Sequence, residues 1–527
     1  MENEEAPEVI VVGAGFSGAV FARVMADAGM RVIVLERRAH IAGNMYDEKQ
    51  EGVFVHRYGP HFFHTNNQNV FDFLSRFSRW TPYRHRVLGK INGKFVPLPF
   101  NFTSLDMLFE KKEAEHIKEK LQIYFSPGGK VSIFELLHHD DVVIKEFGNF
   151  VYENVFVHYT EKQWGISIDN IDKSTINRVP VVIGYDENYF SDSIQFMPAK
   201  GYQALFTALL RSKKITVRLN TDAKEKLKFD FEDSKIYFNN VLYNGIVFFS
   251  GALDELFDNK YGQLPYRSLD FVFETIESAW YQDVAVVNYP NDEKWTRITE
   301  FKHCMPQHSR APNRTIILKE YPHTFEKSGV CEPYYPVINA GNAVLYQKYA
   351  DDARIFQNLI LCGRLAEYKY YNMDEAAARS LALAKNAAPL YHKSKNFLAK
   401  TLFRQVTLYG IIGSFCAGLD SVIFILLRKL LVNAYLSNFI SVNIGILSSF
   451  LLNTFINFKT PDKLKVRALR FFCVGYGGLT LSMCVLFIGK TLLGQKDEIV
   501  KIFSVFIVAS FQFTCNKLFT FRRSAHG

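Results

Sequence analysis

EVIVVGAGFSGAVFARVMADAGMRVIVLE, residues 8–36, decides the fold of the first part of this chain. It predicts a short buried strand at 8–12, a glycine turn with the spacing GxGxxG, a helix and a second strand at 31–35. The glycines allow a tight turn close to a pyrophosphate, and the helix N-terminus offers free amides and the positive end of the helix dipole. Glu36 follows the second strand, where a carboxylate can bind ribose hydroxyls. The stretch therefore predicts a dinucleotide-binding domain of the Rossmann type.

Two further stretches indicate which dinucleotide is bound. RRAHIAGN (37–44) resembles the extension of this fingerprint in FAD-containing enzymes, although Ala42 replaces the first glycine of the usual pair. LILCGR (359–364) predicts a late strand and glycine turn, followed by a helix with acidic residues in its first turn. A late strand that returns to the cofactor is typical of FAD folds. We expect FAD to contact Gly13, Ala14, Gly15, Phe16, Ser17, Gly18, Glu36, Arg37, Gly43, Asn44, Asn372 and Met373.

The net charge of +9 is concentrated in the last quarter of the chain. Residues 401–527 carry 14 basic and 4 acidic side chains, a charge of +10, which leaves −1 for residues 1–400. A nearly neutral first part argues against nucleic-acid binding, and the positive second part is typical of the flanks of membrane spans. The acidic N-terminal stretch does not indicate a signal peptide.

Four long apolar stretches follow Lys400, and each approaches the ~20 residues that a helix needs to cross a bilayer. They lie at 408–427, 438–458, 471–493 and 500–521. The basic residues around them are Lys393, Lys395, Lys400, Arg404, Lys459, Lys463, Lys465, Arg467, Arg470, Arg522 and Arg523. This distribution predicts a multi-pass protein of the cytoplasmic membrane, with both termini and the first part of the chain on the cytoplasmic side.

Polar side chains inside these stretches are costly in lipid, so we expect them to face the interior of a helix bundle. Asp420 is the strongest candidate for a polar site, whereas Asn453 and Asn516 fit such a site and inter-helix hydrogen bonding equally well. LLNTFINF (451–458) and NKLFTF (516–521) resemble motifs of the GtrA-like family of four-helix membrane proteins. The resemblance implies a domain at about 401–523 that handles polyprenyl-phosphate-linked sugars.

Residues 8–390 resemble the UDP-galactopyranose mutases. The resemblance rests on YGPHFFHTN (58–66), LPFN (98–101), YTEKQWG (159–165), NYFSD (188–192), EPYYPV (332–337) and GRLAEYKYY (363–371). It implies an α/β Rossmann-type FAD-binding fold with an antiparallel sheet and a helical substrate subdomain at about 100–175. We expect this domain at 1–392, a linker at 393–403 and an all-α domain of four transmembrane helices at 404–527.

The resemblance also implies an isomerase that interconverts the pyranose and furanose forms of a sugar. In this chemistry N5 of reduced FAD attacks the anomeric carbon and forms a sugar adduct, while the phosphate leaves and later returns. There is no net oxidation, and neither a metal site nor a Ser/His/Asp triad is needed. The sequence indicates neither of them.

The family motifs assign roles to individual side chains. His64, Arg297, Tyr335 and Tyr370 are the expected catalytic residues, and Arg297 would hold the departing phosphate through two hydrogen bonds. His61, Phe62 and Arg364 are further expected contacts of FAD. The expected substrate-binding residues are His85, Tyr159, Thr160, Trp164, Arg178, Asn288, Arg297, Tyr335 and Tyr370.

Three positions depart from the family pattern near the sugar phosphate. Val182 stands where a second phosphate-binding arginine is usual, Ile194 replaces a tyrosine, and Asn372 replaces an aspartate. A site with one arginine and one hydroxyl fewer would handle less phosphate charge, or would place it differently.

Two substrates therefore stay open. One is UDP-galactopyranose, converted to UDP-galactofuranose for cell-surface glycans, and the other is a polyprenyl-phosphate-linked galactose or related sugar held by the membrane domain. The intact YTEKQWG favours the first, and the three departures and the fused membrane domain favour the second. A polyprenyl-phospho-sugar flippase with a regulatory flavin domain, and an ordinary flavin oxidase, are further hypotheses. The oligomeric state is left open.

Overall fold

The computed structural model describes residues 7–171, 176, 179–304, 313–326, 332–488 and 507–521. Contacts within the chain define two units, Met1–Ala388 and Pro389–Gly527. The predicted linker at 393–403 lies within one continuous helix, Met373–Lys429. In the described residues, the first unit holds all of the strands and the second unit is helical.

A five-stranded parallel sheet carries the glycine fingerprint. Its strands, in spatial order, are Ile215–Arg218, Val32–Leu35, Val9–Val12, Ile246–Phe249 and Leu359–Leu361. Strands such as VIVV and IVFF are apolar throughout, because both faces of a parallel sheet are normally covered. On one face, Phe21 of the helix Phe16–Asp27 stacks on Phe248 with 4.1 Å between ring centroids. The two strands predicted around the fingerprint and the late strand near residue 360 therefore share one sheet.

A seven-stranded sheet is the second large sheet of this unit. Its strands, in spatial order, are Tyr335–Pro336, Tyr266–Ile276, Thr315–Thr324, Arg297–Glu300, Val286–Asn288, Val87–Ile91 and Lys94–Leu98. Neighbours are antiparallel except for Val286–Asn288 and Val87–Ile91, which run parallel. The sheet thus brings Arg297 and Tyr335, which are far apart in sequence, into one structural layer.

Smaller ladders and helices complete the first unit. The ladders join Phe63–Thr65, Ile194–Pro198 and Trp80–Pro82; Leu227–Asp230, Lys235–Phe238 and Val241–Tyr243; Asp47–Gln50 and Val53–His56; and Lys130–Val131 and Val181–Val182. Besides the start of Met373–Lys429 and three short 3-10 helices, the described helices outside the predicted insertion are Phe16–Asp27, Gln68–Ser75, Tyr202–Leu210, Leu253–Leu256 and Ala340–Arg354.

The segment predicted as a helical insertion at 100–175 is helical in most of its described residues. Its α-helices are Phe102–Leu108, Lys111–Tyr124, Ile133–Leu137, Val142–Val151 and His158–Trp164. Three of the five start with a side-chain cap, at Asn101, Ser132 and Asp141, each of which accepts a hydrogen bond from a backbone amide of the first turn. Such caps satisfy amides that have no partner inside the helix.

The second unit contains three long helical segments and a fourth that is described in part. They are the end of Met373–Lys429, then Ala434–Leu452, Leu464–Phe487 and residues 507–515. Two of the described helices, Leu402–Lys429 and Ile440–Asn457, are long and apolar enough to cross a membrane. The predicted third span is helical over 471–487, and the predicted fourth span is described only from residue 507.

The two motifs that resemble the GtrA-like family adopt the same turn. Asn453–Asn457 and Asn516–Thr520 each form one π-helical turn, closed by a phenylalanine amide that donates to the asparagine carbonyl at 2.8 Å. The two phenylalanines, Phe458 and Phe521, stack with 4.5 Å between ring centroids. The second and fourth helical segments therefore end alike and meet at their ends.

Candidate active site

The glycine turn leaves no space for larger residues. Gly13 has φ +96°, and a Cβ on Gly18 would lie 1.9 Å from the carbonyl oxygen of Gly13. The helix Phe16–Asp27 can therefore begin directly against the turn. The amides of its first turn are suited to bind a ligand that approaches the backbone closely, as a pyrophosphate does.

Glu36 is buried at the end of the second strand and is held by two backbone amides. Its Oε2 accepts from the amide of Ala14 at 2.7 Å, and its Oε1 accepts from the amide of Arg38 at 2.9 Å. Each carboxylate oxygen can accept one further hydrogen bond. The carboxylate is therefore fixed where ribose hydroxyls would meet it.

A deep cavity follows the carboxyl ends of the parallel strands. Of the residues predicted to bind FAD, it is lined by Gly13, Gly15, Phe16, Ser17, Glu36, Arg37, Gly43, Asn44, His61, Arg364, Asn372 and Met373. The late glycine turn contributes Gly363, with φ +115°, and the N-terminal turn of Met373–Lys429 faces the cavity through Met373 and Ala376. Both ends of the first unit thus build one site.

Three residues predicted to bind the cofactor are not among those that line this cavity. Ala14 contributes its amide to Glu36, and Gly18 provides the close approach to Gly13. Phe62 stacks on His85 instead, with 3.9 Å between ring centroids. Ala14 and Gly18 therefore shape the turn itself, while Phe62 packs against His85, a residue predicted to bind the substrate.

The substitution noted at Ala42 has a structural consequence. Ala42 is fully buried and has φ 76°, the left-handed region that glycine occupies without strain. Gly43 follows with φ +55°, and a Cβ there would lie 2.9 Å from the Cα of Gly15. The backbone therefore keeps the shape of the glycine pair, and Ala42 carries the strain.

Glu332 is a charged residue of the cavity that the sequence did not single out. Its carboxylate pairs with the guanidinium groups of Arg37 and Arg38, and all three residues line the cavity. Burial raises the pKa of Glu332, but the two arginines overcome this and hold the pKa below its ordinary value. Tyr334, two residues on, is fixed by a 2.6 Å hydrogen bond from its hydroxyl to the carbonyl oxygen of Tyr58.

The cavity fits FAD. A turn that needs glycine at Gly13 and Gly18 precedes the start of a helix, a buried carboxylate lies where a ribose would bind, and a second glycine turn contributes to the same cavity. These are the backbone amides and acceptors that a dinucleotide needs. When bound, FAD would be held by Glu36, Arg37, Asn44 and Arg364 among others.

A second cleft gathers four of the residues predicted to bind the substrate. Tyr159, Thr160, Trp164 and Asn288 all line it, and Tyr189 lies beside them. Tyr159, Thr160 and Trp164 belong to the helix His158–Trp164. The sequence alone does not show which face of this helix lines the cleft. His85 reaches this group through Tyr189, with 5.5 Å between ring centroids.

Lys162 fixes the loop beyond Asn288 and was not predicted. Its Nζ donates to the carbonyl oxygens of Tyr289, Asn291 and Glu293 at 2.6, 3.2 and 2.9 Å. Burial lowers the pKa of Lys162, and the nearby carboxylate of Glu293 opposes this effect. Lys162 of YTEKQWG therefore connects the cleft helix to this loop through hydrogen bonds.

Arg297 is paired with a carboxylate that the sequence did not reveal. Its Nε donates to Oε1 of Glu320 at 2.7 Å, and Glu320 is 1% exposed. Burial acts to lower the pKa of Arg297, but Glu320, Tyr159 and Tyr335 raise it well above its ordinary value. Arg297 is therefore a permanent cation of the site.

Tyr335 and Tyr370 form a parallel pair beside Arg364. Their ring centroids are 5.7 Å apart at 11°, and the Arg364 guanidinium carbon lies 5.2 and 4.7 Å from the two centroids. Trp164 approaches Tyr335 with 6.2 Å between ring centroids. Since Arg364 lines the cofactor cavity and Trp164 lines the cleft, this pair lies where cofactor and substrate would meet.

Two histidines near this meeting point are held neutral. Burial lowers the pKa of His61 to about 4, and the cations Arg364 and Arg297 lower it further, against a hydrogen bond to Gly59. Burial also lowers the pKa of His85 to about 3, with Arg297 contributing. The positive charge of the described site at neutral pH is therefore supplied by arginines.

His64, predicted to be catalytic, lies in a different group. Its Nδ1 lies 2.8 Å from Oδ2 of Asp192, and its ring stacks on Phe190 with 3.7 Å between centroids. Together with Asn372 it lines a polar depression that borders the cofactor cavity. His64 therefore shares a polar depression with Asn372, and its ring stacks on Phe190, which also stacks on His85.

The three positions that depart from the family pattern, Val182, Ile194 and Asn372, all lie within the described residues. Val182 is buried, and its amide donates to the carbonyl oxygen of Phe100 at 2.8 Å. Ile194 pairs with Thr65 in a three-stranded ladder, and Asn372 borders the cofactor cavity. Arg178, predicted to bind the substrate, lies outside the described residues.

The second unit contains a separate polar cavity. It is lined by side chains from all four helical segments, of which the polar ones are Tyr409, Asp420, Ser449, Gln512 and Asn516. The Nδ2 of Asn516 donates to the Tyr409 hydroxyl at 2.9 Å. Two of the three predicted polar-site residues, Asp420 and Asn516, therefore line one cavity.

Asn453, the third residue predicted for this polar site, is not among the lining residues. Its Nδ2 donates to the carbonyl oxygen of Ser449 at 3.0 Å, and its Oδ1 accepts from Asn457 at 3.0 Å. These contacts lie between neighbouring turns of one helical segment, so they fit neither the predicted polar site nor the predicted hydrogen bond between helices.

The fold and the cavity define a flavoprotein that carries a membrane-type helical domain, and comparison with protein families agrees. A family model described as NAD(P)-binding Rossmann-like domain matches residues 11–77. The model described as UDP-galactopyranose mutase matches 154–370, and GtrA/DPMS, transmembrane domain matches 408–521.

The chain belongs to the UDP-galactopyranose mutase family. It is 37% identical to a UDP-galactopyranose mutase of Mycoplasma genitalium, over 72% of this chain and 94% of that protein. It is 35% identical to a probable UDP-galactopyranose mutase of Klebsiella pneumoniae, over 71% and 93%. A dTDP-fucopyranose mutase of Escherichia coli is 34% identical, over 72% and 97%.

A solved structure shares the fold of the first unit. The crystal structure of a reduced UDP-galactopyranose mutase matches 73% of this chain and 96% of its own, with a TM-score of 0.57 and 14% identity. Fold, cavity and relatives together identify an FAD-dependent mutase, which is an isomerase, joined to a GtrA-like domain with apolar helices.

Proposed function

We propose that this chain interconverts the pyranose and furanose forms of a phosphate-linked galactose, with UDP-galactopyranose as the substrate and cell-surface glycans as the destination. One observation carries the proposal: Trp164 of the cleft, the Tyr335–Tyr370 pair and Arg364 of the cofactor cavity form one continuous group. When bound and reduced, FAD would supply a nucleophilic nitrogen for the anomeric carbon, and this chemistry needs no net oxidation.

Arg297 is the residue that would hold the departing phosphate. Its Nε is engaged by Glu320, and its described hydrogen bonding leaves the two Nη atoms for a ligand. A guanidinium with both Nη atoms available can bind a phosphate through two parallel hydrogen bonds. Glu320 would thus orient Arg297 and keep the two Nη atoms toward the cleft.

The tyrosines and the tryptophan would bind the substrate in two different ways. Burial raises the pKa of both Tyr335 and Tyr159, so their hydroxyls stay protonated and can donate to phosphate oxygens. Tyr370 would share this role, since it is parallel to Tyr335. The ring of Trp164 offers an apolar face to a base such as uracil.

A polyprenyl-phosphate-linked sugar is the second candidate substrate. Two observations support it: Val182, which replaces the usual arginine, is an apolar buried residue, and the charge of Arg297 is balanced by Glu320. A lipid-linked phosphodiester carries one negative charge, which Arg364 could balance, whereas a nucleotide diphosphate carries more. The GtrA-like domain would then hold the lipid-linked sugar.

The polar cavity of the second unit would be the place for such a ligand. A carboxylate, two amides and a phenol converge there, on Asp420, Gln512, Asn516 and Tyr409. Polar groups inside a membrane bundle are costly unless they meet polar partners. The charge distribution of the flanking segments supports a multi-pass domain with both termini on the cytoplasmic side.

The test offers the purified, dithionite-reduced full chain three substrates in separate reactions. They are UDP-galactopyranose, a polyprenyl-phospho-galactopyranose and dTDP-fucopyranose, and the measured quantity is ring-form conversion. Conversion of UDP-galactopyranose supports the first candidate, and conversion of the lipid-linked sugar alone replaces it by the second. If none of the three is converted, the proposal is wrong.

A variant in the second unit separates the two roles of the chain. Asp420→Asn is expected to lower conversion of the lipid-linked sugar at least about tenfold, without an effect on UDP-galactopyranose. Ser421→Ala is the matched control, because this neighbouring hydroxyl donates only to the carbonyl oxygen of Ala417 in the described residues. If the two variants convert the lipid-linked sugar equally well, the polar cavity has no part in the reaction.

A further inference from the structure

Arg267 is a buried cation beside the substrate cleft that no family motif of the sequence includes. It belongs to the strand Tyr266–Ile276 and is 5% exposed. Its Nε donates to the carbonyl oxygen of Gln163 at 2.9 Å, its Nη2 to that of Lys162 at 3.1 Å, and its Nη1 to the hydroxyl of Thr324 at 2.9 Å. All three guanidinium nitrogens are therefore engaged.

The two carbonyl groups belong to the last turn of the helix that carries Tyr159 and Trp164. Carbonyl groups in the last turn of a helix have no partner within it, and a cation there also meets the negative end of the helix dipole. The helix ends at Gly165 with φ +67°, and a Cβ on Gly165 would lie 2.4 Å from Nη1 of Arg267. The glycine thus serves both the turn and the close approach of the guanidinium.

The backbone of the same residue holds the other side of the site. Arg267 pairs with Tyr335 in the antiparallel ladder between Tyr266–Ile276 and Tyr335–Pro336. The amide of Tyr334 donates to the carbonyl oxygen of Arg267 at 2.8 Å. One residue therefore ties the cleft helix through its side chain and the catalytic tyrosine strand through its backbone.

We propose that Arg267 is a positioning residue that sets the spacing between Trp164 and Tyr335, and thereby the affinity for the phosphate-linked sugar. The end of the cleft helix is linked to the strand of Tyr335 through the side chain of Arg267 and the ladder, and the ring centroids of Trp164 and Tyr335 lie 6.2 Å apart. Loss of the clamp would let the end of the cleft helix move away from Tyr335. The inference rests on the proposed substrate cleft.

The charge of Arg267 acts in the same direction. In the described residues its guanidinium is bonded to two carbonyls and a hydroxyl, and no carboxylate pairs with it. A buried cation without a paired anion raises the positive potential of a nearby cleft. An anionic substrate would therefore bind more tightly while Arg267 is in place.

The test compares three variants of the full chain, each loaded with FAD and reduced. Arg267→Lys keeps the charge but cannot reach all three acceptors, and Arg267→Met keeps the length without the charge. Lys319→Met is the matched control, since Lys319 lies on the strand paired with that of Arg267, and its side chain pairs with Glu274 and lies over the ring of Trp295. KM and kcat are measured with whichever phosphate-linked sugar the wild-type chain converts.

Arg267→Lys is expected to raise KM about tenfold with kcat changed less than about threefold, because binding and not chemistry depends on the spacing. Arg267→Met is expected to raise KM further, and Lys319→Met to leave it unchanged. An unchanged KM in Arg267→Lys overturns the inference. Less bound flavin or a lower thermal unfolding midpoint in Arg267→Lys would also overturn the inference, since either result would show a general structural role.

A fourth variant separates this inference from the proposed function. Trp164→Phe keeps an aromatic ring and is expected to raise KM as well. If Trp164→Phe leaves KM unchanged, the proposed substrate cleft is wrong, and the role of Arg267 falls with it. If Trp164→Phe raises KM but Arg267→Lys does not, the cleft stands and the positioning role alone is wrong.

Discussion

The guanidinium of Arg297 and the buried carboxylate of Glu320 pair through Nε and Oε1 at 2.7 Å, on adjacent antiparallel strands where the two residues are directly opposite each other. A pair through Nε leaves the two Nη atoms of the arginine for a ligand. The pairing therefore both compensates the buried carboxylate of Glu320 and orients the guanidinium of Arg297, which an unpaired arginine would not keep in one position.

Glu320→Gln is expected to lower kcat/KM for the phosphate-linked sugar about 100-fold, equivalent to about 2.7 kcal/mol. The amide keeps the shape but no longer compensates the charge of Arg297, so the cation would turn toward other acceptors. Initial rates of ring-form conversion with the reduced enzyme measure the effect. Glu274→Gln, which breaks the half-exposed pair with Lys319 on the same sheet, is the control and should change kcat/KM less than about twofold.

If Glu320→Gln and Glu274→Gln lower kcat/KM equally, the pair of Arg297 and Glu320 has no special place in the reaction. Arg297→Lys provides a second check on the same relationship. Lysine keeps the charge without the fork of donors, and it should lose most of the activity even with Glu320 intact.

Gly18→Ala is expected to abolish stable FAD binding. Its Cβ would lie 1.9 Å from the carbonyl oxygen of Gly13, which is backbone and cannot move away without opening the turn. The ratio of flavin to protein absorbance in the purified full chain measures the loss. Gly29→Ala, at the other end of the same helix, is the control for helix stability because no atom lies within 4 Å of its added Cβ.

Gly29 has φ +92°, so the control itself carries backbone strain and some loss of stability. Retention of flavin in Gly29→Ala together with its loss in Gly18→Ala would therefore isolate the steric effect at the turn. A Gly18→Ala chain that retains the full complement of flavin would contradict the close approach on which the cofactor site depends.

The sequence predicts those parts of the site that depend on local pattern. Strand, glycine turn, helix and acid within residues 8–36 specify their own geometry, and Glu36 lies in the structure where the pattern predicts it. The aromatic residues of YTEKQWG are likewise on one helix, and Tyr159 and Trp164 line the same cleft. Such features need only the periodicity of one element and the chemistry of its turn.

The sequence cannot predict partners that are set by the register of distant strands. Glu320 meets Arg297, and Arg267 meets Tyr335, because of ladders between segments that are far apart in the chain. No local pattern distinguishes these buried charged residues from solvated ones. The same limit applies in the second unit, where equivalent motifs place Asn516 beside a polar cavity and Asn453 in contacts between neighbouring turns.

Ala42→Gly is expected to stabilise the chain. Ala42 has φ 76°, and a left-handed conformation costs an L-residue about 1–2 kcal/mol, of which roughly half is offset by the greater freedom of glycine when unfolded. The net gain is about 0.5–1 kcal/mol and should appear as a higher thermal unfolding midpoint of the full chain in detergent.

Ala39→Gly, in the same segment, is the matched control for Ala42→Gly, because Ala39 is not among the residues with positive φ. This control should be neutral or slightly destabilising, as glycine adds only freedom to the unfolded chain. A lower unfolding midpoint for Ala42→Gly than for Ala39→Gly would mean that Ala42 is not strained.

His85→Phe is expected to make the chain less sensitive to acid. Burial lowers the pKa of His85 from an ordinary 6.5 to about 3, so the folded state keeps it neutral. Above pH 6.5 neither state binds the proton and nothing is lost. As the pH falls below 6.5, His85 binds a proton in the unfolded state but not in the folded state. This lowers the free energy of unfolding by about 1.4 kcal/mol at about pH 5.5.

Phenylalanine preserves the stacking on Phe62 and removes this titration, so the unfolding midpoint of His85→Phe should fall less between about pH 7.5 and about pH 5.5 than that of the wild type. His116→Phe, at an exposed helix position, is the control and should follow the wild type. Asp47 titrates with the opposite sign, because burial raises its pKa to about 6 and acid then favours the folded state. Its contribution is common to all three chains and cancels, so equal acid sensitivity of His85→Phe and wild type would show that His85 is protonated normally in the folded state.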